Sequence, residues 1–126
     1  MTGVQTCALP IYITAIGIQS GYSFIGSVSE SYGSTFLGRQ AGQSTTSGYD
    51  NAFVGARAGN SNTTGALNVV VGAAALYSNS TTSYNTAIGY QAMYSHTSGT
   101  SMGIGDRKST RLNSSHIPLS RMPSSA

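Results

Sequence analysis

A short sequence repeat that recurs every 17 residues through the middle of the chain constrains the fold more than any other feature. Each copy contains a three-residue step, in which two mostly apolar residues are followed by a glycine. The regular copies are Phe36-Leu37-Gly38, Phe53-Val54-Gly55, Val70-Val71-Gly72 and Ala87-Ile88-Gly89, with Gly103-Ile104-Gly105 following after 16 residues. Two upstream steps, Ala15-Ile16-Gly17 and Phe24-Ile25-Gly26, have the same form at irregular spacing. Because a unit of this length cannot enclose a core alone, neighbouring units must stack.

Other positions of the repeat stay in phase with the glycine. Ser or Asn stands four residues before it, at Ser34, Asn51, Asn68, Asn85 and Ser101, and Ala stands three residues after it, at Ala41, Ala58, Ala75 and Ala92. The apolar step is rich in Val, Ile and Phe and is bounded by Gly, Asn and Ser, which favours a strand. We therefore predict an all-β fold: a β-solenoid or β-roll of about 17-residue coils stacked about 4.8 Å apart, with a short helical turn over 90–94.

Some copies are apolar at three successive positions, as in 52–54 and 69–71. A strand alternates its side chains between two faces, so such a run makes both faces apolar. One face can fill the coil, and the natural cover for the other is a further copy of the chain around a shared axis. This pattern predicts a homo-oligomer. The repeated glycines, expected where the backbone turns with positive φ or packs closely, are Gly38, Gly55, Gly72, Gly89 and Gly105.

The composition changes abruptly at both ends of the repeat array. The three prolines and the single cysteine lie outside residues 12–105, which contain all eight tyrosines and all three phenylalanines. Residues 1–11 and 106–116 resemble translations of a short-read sequencing adapter, and 120–126 resemble its constant end. Segments of technical origin are excluded from fold reasoning. We therefore divide the chain into a non-native segment 1–11, a tandem repeat array 12–105 that is a fragment, and a non-native segment 106–126, with disordered termini.

The net charge of +3 comes from the C-terminal flank. Within residues 12–105 the charged residues are Glu30, Arg39, Asp50 and Arg57, which sum to zero. The basic cluster at 107–111 would ordinarily suggest nucleic-acid binding, but it belongs to the adapter-like segment. The repeat array is therefore predicted to bind no nucleic acid and to insert in no membrane.

The array also lacks the residue groups that catalysis or metal binding requires. Glu30 and Asp50 fall in different coils, whereas paired-carboxylate catalysis needs two acids in range. His96 takes the place of Asn62 and Asn79 in the repeat and is interpreted as an exposed turn residue without a second ligand nearby. The two asparagines also begin glycosylation sequons, a weak pattern. We predict no catalytic residue, no metal site, no cofactor and no enzyme activity.

One binding hypothesis comes from hydroxyl side chains eight residues after the glycine, at Thr46, Thr63, Ser80 and Thr97. Stacked coils would present them as a ladder, which can contact a surface glycan. Ordinary turn chemistry is the simpler interpretation, and ice binding, which favours alternate hydroxyl positions, ranks third. Tyrosines that can either stack on sugars or pack internally are Tyr49, Tyr77, Tyr84 and Tyr94.

Residues 85–95, Asn-Thr-Ala-Ile-Gly-Tyr-Gln-Ala-Met-Tyr-Ser, with the turn at 60–65, resemble repeats of bacteriophage tail fibres and related bacterial surface proteins. They are more distantly similar to the heads of trimeric autotransporter adhesins, whose repeat is shorter. The resemblance covers residues 14–105. It implies a trimeric parallel β-roll or β-solenoid on a virion tail or bacterial cell surface, attaching to a host glycan or protein receptor. The alternatives are a non-expressed metagenomic fragment without its own function, or part of a tail-spike polysaccharide depolymerase.

Overall fold

The computed structural model describes residues 13–25 and 33–106, which form one stack of parallel strands. Each coil contributes one short strand; these are β1 (Ile13–Ile16), β2 (Ser34–Leu37), β3 (Ala52–Val54), β4 (Val69–Val71), β5 (Thr86–Ile88) and β6 (Met102–Ile104). The strands pair in chain order, each with its sequence neighbours. This arrangement confirms the predicted all-β solenoid. The predicted disorder of the termini concerns residues 1–11 and 106–126, of which all but Asp106 lie outside the described part.

The register of the sheet follows the sequence repeat. Phe36 pairs with Phe53, and Phe53 with Val70, so equivalent residues of successive coils lie directly above one another. The first coil is longer, because Ile13 of β1 pairs with Ser34 of β2. The sequence suggested a separate coil at the upstream step Phe24-Ile25-Gly26. Among the described residues no strand lies between β1 and β2, and Gly26 is outside the described part. Phe24 packs instead against the core, with its ring centroid 6.1 Å from that of Phe36 in an edge-to-face arrangement.

The core is a narrow column inside the coils. The residue two before the repeat glycine points inward and is completely buried in four successive coils, at Phe36, Phe53, Val70 and Ala87. The alanine three after the glycine is equally buried at Ala41, Ala58, Ala75 and Ala92. The side chains on either side of the inward residue point out of the coil. The side chains of each strand therefore alternate between the inside and the outside of the coil, although the sequence at 52–54 and 69–71 shows no alternation of apolar and polar residues.

Inside each coil, the inward strand residue faces the residue four after the glycine. Where the strand residue is larger, the facing residue is smaller. Where the strand contributes a phenylalanine, the facing position is glycine: Gly59 packs so closely on Phe53 that a Cβ would overlap the ring. Where the strand contributes Val70 or Ala87, the facing residues are the buried Leu76 and Met93. Protein interiors keep a nearly constant packing density. A smaller strand residue is therefore matched by a larger facing residue, which keeps the interior of the coil filled.

The segment 90–94 does not form the predicted helical turn. It consists of two consecutive reverse turns, with the amide of Ala92 donating to the carbonyl of Gly89 and that of Tyr94 to Gln91. Gln91 and Met93 have φ of 55° and 53°. A right-handed helix requires negative φ at every residue, so the alternating positive φ excludes it. The same alternation of positive φ follows the glycine in the coils of β1–β4.

The size relation between facing core residues predicts a compensating pair of substitutions. Gly59→Leu is expected to lower the free energy of unfolding by about 1–3 kcal/mol, because the leucine overlaps Phe53. Phe53→Val alone is expected to cost about 1–3 kcal/mol through the cavity it leaves. The double variant reproduces the residues of the β4 coil, so it should be more stable than either single variant. Leu76, at φ 50°, shows that leucine fits this backbone conformation. Chemical denaturation checks this, and additive losses would contradict it.

Candidate functional surface

The repeat glycines lie directly after each strand, where successive coils approach most closely. Gly38, Gly55, Gly72, Gly89 and Gly105 have φ between 120° and 140°. At Gly55, a Cβ would lie 2.6 Å from the carbonyl oxygen of Gly72 in the next coil. No side chain fits at that distance, and L residues rarely adopt that φ. These glycines therefore serve the stacking of backbone on backbone and present no group to a ligand.

A column of buried asparagines precedes the strands. Asn51, Asn68 and Asn85 are at most 2% exposed. The Nδ2 of Asn68 donates to the Oδ1 of Asn51 at 3.1 Å, and that of Asn85 donates to Asn68 at 2.9 Å. Each acceptor oxygen also receives the backbone N–H of the asparagine in the next coil, at 3.0 and 2.9 Å. The sequence showed this column, but not that each asparagine bonds the equivalent asparagine of the neighbouring coil.

A second buried amide column lies beside the first, since Asn51 and Asn62 both donate to the carbonyl oxygen of Gly65. The Nδ2 of Asn79 donates to the Oδ1 of Asn62 at 2.9 Å, and both side chains also bond a carbonyl three residues ahead, at 3.0 and 3.1 Å. His96 repeats that local bond, with Nε2 3.1 Å from the carbonyl oxygen of Gly99. Asn62 and Asn79 are completely buried. The glycosylation sequons at these positions are therefore inaccessible in the folded chain.

The predicted hydroxyl ladder places Thr46, Thr63 and Ser80 in successive coils, and Thr97 is exposed in the coil that follows. The Oγ1 of Thr46 donates to the carbonyl oxygen of Thr63 at 3.2 Å. The Oγ1 of Thr63 donates in the same way to Ser80 at 2.9 Å. These hydroxyl hydrogens are used between coils, so Thr46 and Thr63 offer an outside molecule mainly acceptor oxygens. Glycan contact along this ladder remains a prediction.

The tyrosines divide between packing and exposure. Tyr77 and Tyr94 stack on each other with ring centroids 5.0 Å apart and an interplanar angle of 6°. One face of each ring is therefore covered by the other tyrosine, which belongs to the adjacent coil. Tyr84 and Tyr90 are about two-thirds exposed, at 64% and 63%, while Tyr49 is half-buried. The exposed pair flanks β5, with one tyrosine before the strand and one after it.

The outward side chains of β1–β6 form a surface that we call the outer sheet face. It consists of Thr14, Ile16, Thr35, Leu37, Ala52, Val54, Val69, Val71, Thr86, Ile88, Met102 and Ile104. Ile16, Leu37, Val71, Ile88 and Ile104 are 38–62% exposed and lie in one straight column. The face carries no charged side chain. Contiguous apolar surface of this kind marks an interaction site more often than scattered apolar residues do.

Within residues 13–25 and 33–106, three or more His, Cys, Asp or Glu side chains nowhere come together as a metal site. The same part of the chain contains no helix long and apolar enough to cross a membrane. The stack of parallel strands, one from each coil, defines the described part of the chain as a β-solenoid. The sequence matches no protein-family model, and neither a curated protein nor a solved structure is significantly similar to it.

Proposed function

We propose that the repeat array is a structural and adhesive module of a homotrimeric extracellular fibre, a phage tail fibre or a bacterial surface adhesin, that mediates attachment to a host surface. The proposal joins the resemblance of residues 14–105 to such repeats with the stiffness of a stacked coil array. The module acts by presenting a long, regular surface to a glycan or protein receptor, and it carries out no reaction.

The observation that carries the proposal is the outer sheet face. A single copy leaves a row of Val, Leu and Ile side chains in contact with water on every coil. Burial of apolar surface yields roughly 25 cal/mol per Å², and six adjacent strands of one sheet offer a continuous area. Because the face has no charged side chain, covering it buries no unpaired charge. An apolar partner is therefore favoured.

The repeat spacing favours a copy of the same chain as that partner. Side chains of the outer sheet face recur once per coil, at the inter-strand spacing of about 4.8 Å. A second copy has this spacing by construction, so its columns match along the full height of the stack. Three copies whose outer sheet faces turn towards one axis form a closed assembly in which every outer sheet face is covered. This supports a trimer over an open chain of copies.

The experiment is sedimentation equilibrium of the full 126-residue chain and of two lysine variants. The unmodified chain is expected to sediment as a trimer. Val71→Lys places a charge in the middle of the outer sheet face and should yield monomers, because an unpaired charge cannot be buried there. Thr64→Lys adds the same charge at an exposed position away from that face and should remain trimeric.

Far-ultraviolet circular dichroism of both variants establishes that the coils are intact, since the two substituted side chains are solvent-exposed in a single copy. A well-folded unmodified chain that stays monomeric at high concentration would contradict the proposal. A Val71→Lys variant that associates as strongly as the Thr64→Lys control would show that a different surface holds the copies together.

A further inference from the structure

The stacked pair Tyr77 and Tyr94 places two oxidisable side chains against each other on the surface of the array. Both side chains are half-buried. Their ring centroids lie 5.0 Å apart, and the ring planes differ by 6°. A phenol loses an electron more readily than an amide or an aliphatic hydroxyl does, and two oxidised phenols join when they are held close. The pair therefore has the composition and the spacing that oxidative coupling requires.

The backbone holds this pair in register. Both tyrosines stand five residues after the repeat glycine. The amides of Leu76 and Ser78, on either side of Tyr77, donate to the carbonyl oxygens of Ala92 and Tyr94 in the next coil, at 2.9 and 3.0 Å. These bonds keep the two tyrosine backbones at the inter-strand spacing of about 4.8 Å. The stacked contact is therefore fixed by the pairing of the coils and does not depend on a chance choice of rotamer.

The pair lies away from the outer sheet face. Leu76 and Met93 directly precede the two tyrosines, and they are buried inside the coil, where they face the inward residues of the strands. The tyrosines follow on the far side of the coil interior, with their rings turned outward. Copies that cover the outer sheet face therefore leave this side of the coil in contact with solvent, where a small oxidant can reach it.

Pairing and exposure are separated among the tyrosines of the β5 coil. Tyr84 and Tyr90 are 64% and 63% exposed, but neither has a tyrosine at the equivalent position of an adjacent coil. Tyr77 and Tyr94 are less exposed and have each other. An oxidant that acts only by access would therefore modify Tyr84 and Tyr90 first, whereas a coupling reaction that depends on proximity selects the stacked pair.

We propose that Tyr77 and Tyr94 form an oxidative modification site, at which a one-electron oxidant supplied by a peroxide couples the two phenols into a dityrosine crosslink. Each phenol gives up one electron and its hydroxyl proton and becomes a phenoxyl radical, whose unpaired electron is shared by the ring carbons Cε1 and Cε2. One carbon–carbon bond forms between a Cε atom of each ring. The hydrogen on each of these two carbons then moves to the phenol oxygen. Two electrons and two protons have left the pair, and they reduce one hydrogen peroxide to two waters.

The crosslink joins the coil of β4 to the coil of β5. Its two residues are 17 positions apart, so it closes a loop of one repeat and restricts the unfolded chain as a disulfide does. The two coils can then no longer separate when their hydrogen bonds open. This modification goes beyond the proposed function and does not depend on it, because both tyrosines belong to the same copy.

The experiment is photo-oxidation of the folded full-length chain by ruthenium tris-bipyridine with persulfate, followed by trypsin and mass spectrometry. The photo-oxidised ruthenium complex is the small one-electron oxidant, and the peroxide bond of persulfate takes up both electrons. Trypsin cleaves after Arg57 and Arg107 and has no site between them, so Tyr77 and Tyr94 fall in one peptide. The expected product is this peptide lighter by two hydrogens, with the fluorescence of dityrosine.

Phenylalanine variants identify the coupled residues. Tyr77→Phe and Tyr94→Phe keep a ring in the stack but remove a phenol, so each should lower the yield of the product about tenfold or more, because the remaining phenol has lost the partner held beside it. Tyr84→Phe and Tyr90→Phe are the matched controls: they remove a more exposed phenol from the same peptide and should leave the yield nearly unchanged. The crosslinked chain should also melt at a higher temperature than the oxidised Tyr94→Phe variant.

A product that persists in Tyr77→Phe or Tyr94→Phe would overturn the inference, since other phenols would then be coupled. The inference also fails if the folded, unmodified chain yields no such peptide, whether it forms only crosslinks between copies, only oxygen addition at the exposed Met102, or no product. Circular dichroism before oxidation verifies the fold of each variant. A chain that forms the crosslink but sediments as a monomer would contradict the proposed trimer and leave this inference standing.

Discussion

Replacement of Asn68 by alanine is expected to lower the free energy of unfolding by about 3–5 kcal/mol, a loss in the upper range for single substitutions. Asn68 donates to Asn51 and to the carbonyl oxygen of Thr82, and its Oδ1 accepts two hydrogen bonds from Asn85. Alanine removes all four bonds and leaves their partners buried without replacements. The melting temperature should fall by roughly 15–30 °C for a domain of this size.

Asn60→Ala is the matched control for this substitution. The Nδ2 of Asn60 also donates two hydrogen bonds, to the carbonyl oxygen of Gln40 and to Gln43. They lie on the half-buried outer surface, where water replaces the lost partner, so the expected cost is about 1 kcal/mol or less. Thermal denaturation followed by circular dichroism compares the two variants. Equal losses would show that the buried asparagine column contributes no more than a surface amide does.

Gly55→Ala is expected to be the second severe substitution, with a loss of about 3–5 kcal/mol. Two separate costs combine at this position. The φ of 134° is unfavourable for alanine, and the added Cβ would lie 2.6 Å from the carbonyl oxygen of Gly72. Since that oxygen belongs to the backbone of the next coil, relief requires the coils themselves to separate and the strand pairing to weaken.

Gly99→Ala isolates the first of these costs. Gly99 also has positive φ, at 81°, but nothing lies within 4 Å of an added Cβ. Its substitution should therefore cost only the conformational preference, about 1–2 kcal/mol. Urea denaturation of both variants measures the difference, which is the contribution of close coil contact. A Gly55→Ala variant no less stable than Gly99→Ala would mean that the stack can adjust to a methyl group between its coils.

The coil length and strand positions were predictable because in-phase columns need no knowledge of the third dimension. The sequence did not predict which side chains of each strand point into the coil. In Val69–Val71 the three side chains are identical, so the sequence contains no alternation to read; only the packing of Val70 inside the coil separates it from its neighbours. The helical turn expected over 90–94 was wrong for a related reason: the positive φ imposed by stacking overrides the helix preference of Gln-Ala-Met.

The buried amides were missed because asparagine usually signals a turn. Burial of Asn51 or Asn68 is tolerable only when a partner lies at hydrogen-bonding distance, and that partner is the equivalent residue 17 positions away. The size relation between facing core residues was likewise not predictable, because the two positions look independent in the sequence. Phe53 with Gly59, and Val70 with Leu76, become a coupled pair once the coil brings strand and turn face to face.

The asparagine columns also give the array a polarity. In both columns the Nδ2 donates towards the preceding coil, from Asn68 to Asn51, from Asn85 to Asn68 and from Asn79 to Asn62. The amide dipoles therefore add head to tail along the solenoid axis. A coil joined at one end of the stack must supply acceptors, and a coil joined at the other must supply donors. Caps for the two ends are consequently not interchangeable, and a fibre built from this unit has a chemically defined direction.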